Sequence, residues 1–526
     1  VVLKGGISWQ MALTAVFIEG IIFILLTLFK VREAVVNSIP LPMKHAVTAG
    51  IGMFIAFVGM SGAGLIVANE ATKVSMGHFG PTVIIASIGL LVIAILDKKR
   101  VNGAILYGIV VSSLLAWGYA ILNPKQAADL GIYLPKGVFK FESIAPVAGK
   151  FDFSFLANPK LLGNFFVIIA TFLELISSKL NYNYFKIILT TVLIYLIVCI
   201  TNILISFNSL SINEILFYFL IAPLMLVLLM LKNFNDQLFD FLNIFVKIIL
   251  IFALISLIFW TFGSILKVVH PTNVVINNWN GGLPTPSYFN LYFETQGIHF
   301  FGTTIIRNSG MFAEAPMWSL MLSSALIIQE LFLDNSIKRL SLLTLTILTT
   351  VSTTGIFVIG LLLIYRVIML KKSLFKYVSL ITIPIVIYAL LQVWEEKSDS
   401  ISASIRFNDY IAGFLAWKES FFFGSGLVRG LKVIETNMNT LIRTNLGYSN
   451  SLFVILAQGG LILGGYYFYP VIKIILGKRY LTNYKMFSVL FIVLLTTSVF
   501  VGSSLFSLYI GIFYSLITNR EYFKEI

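Results

Sequence analysis

Long apolar runs, broken by short polar or basic turns, set the pattern of this chain. Runs such as Ile21–Phe29, Ile187–Ile205 and Phe245–Phe262 have the character of membrane-spanning helices, and the longer ones have the length. They are continuous rather than alternating, which excludes a transmembrane β-barrel. The pattern predicts spans near 10–29, 47–67, 82–96, 102–121, 162–178, 187–207, 214–231, 242–266 and 315–333, and later near 375–393, 451–471, 485–500 and 503–518. A further run, 340–370, has Lys338 and Arg339 before it and Arg366, Lys371 and Lys372 at or after its end. Basic residues at both ends predict two short crossings turning near Ser352–Gly355. The alternative is one long tilted helix, which reverses everything upstream. The fold class expected is all-α: a polytopic transmembrane helix bundle of roughly fifteen spans.

Two long segments are too polar for lipid, Lys267 to Ala313 and Trp394 to Asn450, and both carry arginines. Polar residues kept in a membrane protein mark the places to look for chemistry. Lys30, Arg32 and Lys44 share one side with Asp97-Lys98-Lys99-Arg100, and the excess of Lys and Arg makes that side cytoplasmic. The two polar segments then lie outside, as does 122–160, which is rich in Pro and Gly, has β-like pieces such as Val138–Phe141 and contains no span.

Composition sharpens the class. Of 526 residues, 58% are hydrophobic and 11% charged, against about 25% charged in soluble domains. The net charge of +14 gathers in short loops, as the positive-inside rule requires, so nucleic acid is not an expected partner. Cys199, the single cysteine, sits inside an apolar run and has no partner for an internal disulfide. His45, His78, His270 and His299 are too scattered for a metal site, and no cofactor is expected. The chain starts at Val1 without a signal-peptide layout and reads as truncated at its start.

The style of the spans changes near residue 158. Before it, small residues recur within spans (Gly50, Gly52, Gly59, Gly62 and Gly64), a transporter-like habit that lets helices pack closely. After it, the spans are rich in Phe, Leu and Ile, with Asn-rich connectors. Two domains are expected, 1–157 with about four spans and 158–526 with about eleven. No repeat relates them, so an inverted-repeat transporter across the whole chain is not supported.

Gly6-Ile-Ser8-Trp9-Gln10, Lys30-Val-Arg32-Glu33, Ile39-Pro40-Leu-Pro42 and Gly50-Ile-Gly52-Met-Phe54 follow one another in order. Over residues 1–155 this resembles part of the AzgA-type guanine/hypoxanthine permeases. That family is much longer, and its purine-contacting residues lie mainly on helices with no counterpart here, so none is carried over. Glu19, inside the first span, is either a proton relay or a residue facing a neighbouring helix.

In the second part, Arg307-Asn-Ser-Gly310-Met-Phe312-Ala-Glu314 is followed by Ser352-Thr-Thr354-Gly355, Arg406-Phe-Asn-Asp-Tyr410, Gly424-Ser-Gly426, Ser449-Asn450-Ser451 and Gly459-Gly460. This order, over residues 160–526, resembles the Wzy-type O-antigen and capsule polymerases and related ligases. The resemblance implies polymerisation of undecaprenyl-diphosphate-linked glycan repeat units on the outer face of the bacterial cytoplasmic membrane. The implied partners are those lipid-linked units, membrane lipid, and flippase and chain-length regulator proteins. Arginine suits such chemistry, because it stays charged and binds oxygens bidentately. Arg307 and Arg406 are the expected catalytic cations, with Arg429 and Arg443 behind them as substrate contacts. Glu314 is a base or a clamp for an arginine, and lies about two helical turns beyond Arg307 if that stretch is helical. His299 is a second candidate base. Asn450 is either a substrate contact or a helix N-cap, and Ser449 stands where many related ligases have His. Gly424 and Gly426 read as turn glycines, and Trp394 and Trp417 as interface markers. The main expectation is therefore a glycan polymerase. The alternatives are a guanine/hypoxanthine-type purine permease and a non-functional fusion of the two parts.

Overall fold

The structure is a computed structural model that describes residues 9–28, 41–69, 72–135, 143, 159–178, 180, 182–206, 211–276, 284–300, 303–369, 401–439 and 448–518. It divides into two compact units, Val1–Asn158 and Pro159–Ile526. Among the described residues, eight helices are long and apolar enough to cross a membrane, and four shorter apolar helices accompany them. The chain is a polytopic bundle of membrane helices. The expected span 375–393, the β-like piece Val138–Phe141 and Trp394 fall outside the described residues.

Unit 1 contains α1 (Trp9–Leu28), α2 (Leu41–Gly62), the hairpin strands β1 (Ile66–Asn69) and β2 (Lys73–Met76), α3 (Pro81–Lys98), α4 (Ala104–Leu122) and the short α5 (Pro124–Asp129). Pro81 and Pro124 sit in the first turns of α3 and α5, where the missing N–H costs nothing. The close helix approach is between α3 and α4. A Cβ on Gly89 would fall 1.9 Å from Ser112 Oγ, and one on Gly108 2.1 Å from Ile93 Cγ1 and 3.0 Å from Gly89 O. The small residues singled out in the sequence behave differently: among the described residues nothing comes within 4 Å of a Cβ placed on Gly50, Gly52, Gly59 or Gly62, and α2 has no buried residue. Glu19 is exposed on α1. Gly108→Ala is expected to cost about 1–3 kcal/mol of local stability by overpacking. Backbone amides in the middle of α3 and α4 should then exchange hydrogen roughly tenfold faster or more, while those of unit 2 keep their rates. Unchanged exchange in α3 would show that the two glycines do not set the spacing.

Unit 2 begins with α6 (Pro159–Ser177), α7 (Tyr182–Ser206) and α8 (Ile212–Leu216). A π-helical turn, Phe217–Ile221, leads into α9 (Ala222–Phe234), and α10 (Leu238–Phe259) ends in a second, Trp260–Ile265. The polar segment that follows folds into small antiparallel sheets. One joins β3 (Asn273–Ile276), β4 (Pro284–Tyr288) and β5 (Tyr292–Phe293), and the other pairs β6 (Gly297–Phe300) with β7 (Thr303–Ile306). Then come α11 (Ala315–Phe332), α12 (Ile337–Thr349) and α13 (Thr353–Met369). The break between α12 and α13 falls slightly before the place where two short crossings were expected to turn. The second polar segment is more ordered than its composition suggested: it contains α14 (Ile401–Glu419) and α15 (Arg429–Thr436). The chain closes with α16 (Ser451–Leu476), α17 (Thr482–Thr497) and α18 (Ser504–Thr518).

The core of unit 2 lies where α9, α11, α17 and α18 meet, around Trp318, Phe487, Phe491, Tyr509 and Phe513. The Phe487 and Phe491 rings stack on Tyr509 with centroids 5.4 and 5.0 Å apart. Gly511 of α18 lets α9 close in, since a Cβ there would stand 2.3 Å from Leu229 Cδ1. Asn233 ties the same pair by donating to Ser515 O at 3.1 Å. At the other edge of α9, Glu174 of α6 is buried and takes Lys232 at 2.5 Å and the Asn235 amide at 2.6 Å. These polar ties fix helix neighbours where apolar contact alone has no preferred rotation.

Candidate functional site

The first polar segment ends in a compact knot. Arg307 follows β7 and is half-buried. Its Nε donates to Thr350 O at 2.8 Å, one terminal nitrogen to Gln296 Oε1 at 3.2 Å and the other to Val351 O at 3.3 Å. Asn308 donates to Thr349 Oγ1 at 3.0 Å and to Ser256 Oγ at 3.3 Å, and Ser309 Oγ donates to Phe293 O at 2.6 Å. Gly310 has φ of +55°, and a Cβ there would fall 2.9 Å from Trp318 Nε1. The Arg307-Asn-Ser-Gly310 motif therefore joins β5, α10 and the α12–α13 turn.

Glu314 is the N-cap residue of α11, with extended backbone and no side-chain cap bond. The stretch from Arg307 to Glu314 is not helical, so the two-turn spacing considered for it does not apply. Both residues nevertheless lie in one electrostatic neighbourhood with Arg406 of α14. Burial pulls the Arg307 guanidinium down to about 10, Glu314 draws it back up, and Arg406, a like charge, lowers it further. Arg307 remains a cation at neutral pH.

The other residues named from the sequence are dispersed. Arg429 is exposed at the first position of α15. Asn450 is the N-cap of α16, and its side chain accepts from Phe453 N at 3.0 Å. His299 lies on β6, with its backbone in register with Thr304. Arg443 lies outside the described residues. Trp417 donates its indole N–H to Phe421 O at 3.0 Å. Gly424 and Gly426 have φ of +67° and +93°, as turn glycines do. No group of three or more potential metal ligands occurs among the described residues.

Sequence reasoning missed a carboxylate in the same sheet region. Glu294 Oε1 accepts from Tyr288 Oη and from Ser264 Oγ, both at 2.8 Å. Burial first, then the Glu294 contact and charge, raise the Tyr288 hydroxyl above the ordinary tyrosine range. Tyr288 on β4 and Tyr292 on β5 face each other across the strand pair, and strands this short leave no alternation in the sequence to reveal it.

A second feature is a break in α16. Gly460 has φ of +57° and ψ of −151° inside the helix. The loop 421–426 supplies the bonds that the helix loses: Ser425 N donates to Ala457 O and Gly426 N to Gln458 O, both at 2.8 Å. In the other direction, Leu461 N donates to Phe421 O at 3.1 Å and Ile462 N to Phe422 O at 3.2 Å. Irregular backbone at membrane depth is tolerated only where protein satisfies it or a cavity adjoins it. Both conditions hold, for a cavity of about 290 Å3 lies beside Gln458, Leu427 and Gly502.

Comparison with known proteins places the first part of the chain. The model of the xanthine/uracil permeases, described as Permease family, matches residues 2–203. A putative permease of Methanocaldococcus jannaschii is 40% identical over 158 residues, covering 30% of this chain and 34% of that protein. The guanine/hypoxanthine permease PbuG of Bacillus subtilis is 46% identical over 109 residues, 20% of this chain and 24% of the relative. The adenine permease AdeP of Escherichia coli is 40% identical over 113 residues, 21% and 25% respectively. The chain thus spans about a third or less of the length of these relatives. No solved structure matches it.

These findings correct the expected glycan polymerase. The matched proteins are permeases rather than glycosyltransferases, so the enzyme, its undecaprenyl-diphosphate-linked units, and the flippase and chain-length regulator fall away as expectations. The geometry supplies a physical reason: each guanidinium nitrogen of Arg307, the arginine that led that reading, donates within the fold, to Thr350, Gln296 and Val351. In its first 203 residues the chain is similar to the nucleobase permeases, and it is a multi-pass integral membrane protein, in bacteria one of the cytoplasmic membrane.

Proposed function

We propose that the chain is a nucleobase permease-type transporter, moving purine bases of the guanine/hypoxanthine or adenine class across the membrane. The observation that carries this reading is the match over residues 2–203, with identities of 40% and 46% to permeases named for such cargo or for transport in general. In this reading residues 1–157 are a permease-derived unit of about four spans. The family match runs on through α6 and α7, which pack in unit 2 against α9 and α16. The permease-like sequence therefore continues into the helices on which unit 2 is built.

The test is uptake of radiolabelled hypoxanthine, guanine and adenine by bacteria deleted for their own purine permeases and expressing the full chain. Saturable uptake above the empty vector, competed by excess unlabelled base, is expected. Uptake equal to the vector at matched membrane levels of the protein would overturn the reading.

A further inference from the structure

The cavity beside the break in α16 has a chemical character that neither the permease similarity nor the fold accounts for. It is lined by Asn213 and Glu214 of α8, Phe217 and Tyr218 of the first π-helical turn, Tyr448 before α16, and Gln458 of α16, with apolar residues making up the rest. No lysine, arginine or histidine lines it among the described residues. Its volume, about 290 Å3, is near the lower end of the range of small-molecule sites.

Gln458 is 3% exposed. Its Nε2 donates to Leu427 O at 2.6 Å and its side chain lies within hydrogen-bond reach of the Tyr218 hydroxyl, while its Oε1 has no hydrogen-bond partner among the described residues. A buried acceptor without a donor is costly, so an occupant able to donate to it gains by binding. Tyr448 commits its hydroxyl proton to Glu435 Oε1 at 2.6 Å, so towards the cavity it can act only as an acceptor. Glu214 is fixed by its capping box with Ser211, in which Oε2 accepts from Ser211 N and Ser211 Oγ, each at 2.8 Å. The cavity therefore presents a carboxylate, the Asn213 side chain, an unpaired amide oxygen and aromatic rings, with no cation among the described residues that line it.

We propose that this cavity binds a protonated primary or secondary amine carried on an apolar body. The carboxylate and ring faces favour a cation. The unpaired Gln458 Oε1 calls for an N–H, which a quaternary ammonium lacks. An anion meets Glu214, and a neutral apolar molecule leaves Oε1 unpaired. On the sidedness set by the basic loops, the chain ends that line the cavity face outward, so the ligand enters from outside the cytoplasm. The lining residues lie beyond residue 203, so this assignment stands apart from the purine transport reading.

The test uses the full chain in lipid nanodiscs, titrated with phenethylammonium by calorimetry, with protein-free nanodiscs subtracted. Phenethyl alcohol, the trimethylated phenethylammonium and 3-phenylpropanoate are the comparisons. Saturable binding of phenethylammonium is expected, at least tenfold weaker for the alcohol and the quaternary cation and absent for the carboxylate. Glu214→Gln keeps the capping box, which accepts Gln as well as Glu, and should weaken binding tenfold or more with an unchanged unfolding midpoint. Val454→Trp fills the cavity from a different wall and should abolish binding. Absence of saturable binding, equal affinity for amine and alcohol, or full affinity in Val454→Trp would overturn the proposal. So would full affinity in Glu214→Gln.

Discussion

Gly460→Ala should leave unit 2 unable to hold its native packing, the largest single-residue effect expected in this chain. Two costs coincide. The backbone at Gly460, φ +57° and ψ −151°, lies in a region essentially reserved for glycine, where another residue is strained by roughly 1–3 kcal/mol. The added Cβ would also stand 2.4 Å from both Phe422 C and Phe422 O and 2.7 Å from Gly424 N. These are backbone atoms of the loop that bonds the broken helix, so they cannot swing aside as a side chain could, and overpacking adds about 1–3 kcal/mol. Together the costs reach roughly 2–6 kcal/mol, a large part of a typical total stability of about 5–15 kcal/mol. Gly465→Ala is the control: it lies in the same helix with nothing within 4 Å of its Cβ, and exchanging Gly for Ala there should be neutral or stabilising by up to about 1 kcal/mol. The measurement is the fraction of each variant that elutes as a monodisperse peak in detergent, together with its thermal unfolding midpoint. A Gly460→Ala protein as stable as wild type would mean that the break in α16 is not rigidly held.

What the sequence made legible follows from the physics of each signal. Apolar length is a local property, and the helices Pro81–Lys98, Ala104–Leu122, Tyr182–Ser206, Ala315–Phe332 and Ser504–Thr518 stand within a few residues of where the runs placed them. A turn was expected near Ser352–Gly355 because basic residues flanked a run too long for one crossing; the break falls slightly earlier, at 350–352, with Thr353–Gly355 already helical. Helices α14 and α15 were not, because Arg406, Asp409 and Lys418 make α14 too polar to stand out as a span, and composition alone reads it as loop. The small residues show a different limit. Spacing identified Gly50, Gly52 and Gly59 as able to admit a neighbour, but only packing reveals that the admitted neighbour is at Gly89 and Gly108 instead. The candidate site fails in the same way. The Arg307 motif was visible as conspicuous chemistry in an apolar chain. What its guanidinium bonds to depends on residues about forty positions away, and no sequence pattern encodes that. Gln458, by contrast, passed unnoticed, because an amide inside an apolar run carries no charge to draw the eye.

Arg307→Leu carries the second large expected effect, and it separates a structural role from a ligand-contacting one. The guanidinium holds the carbonyls of Thr350 and Val351 and the Gln296 side chain. Val351 has φ of +47°, a conformation that a β-branched residue adopts only when its surroundings force it. Arg307 thus clamps a strained turn between α12 and α13. Leucine leaves three acceptors without their donor, at about 1–3 kcal/mol for each that stays buried, and because the site is half-buried and water reaches part of it, a loss of roughly 2–4 kcal/mol is expected. Arg307→Lys keeps the charge but not the planar fork, and should recover only a small part of that loss. Relieving the strain directly should recover more: Val351→Gly in the Arg307→Leu background should return about 1–2 kcal/mol, the cost of a left-handed conformation for a residue with a Cβ. Detergent unfolding of the two single variants and the double variant closes the cycle. A coupling near zero, with Arg307→Leu within about 0.5 kcal/mol of wild type, would free the guanidinium from the fold and return it to the pool of residues available for binding. A strong coupling means that Arg307 is spent on the turn, and the search for the transported or bound molecule belongs at the break in α16.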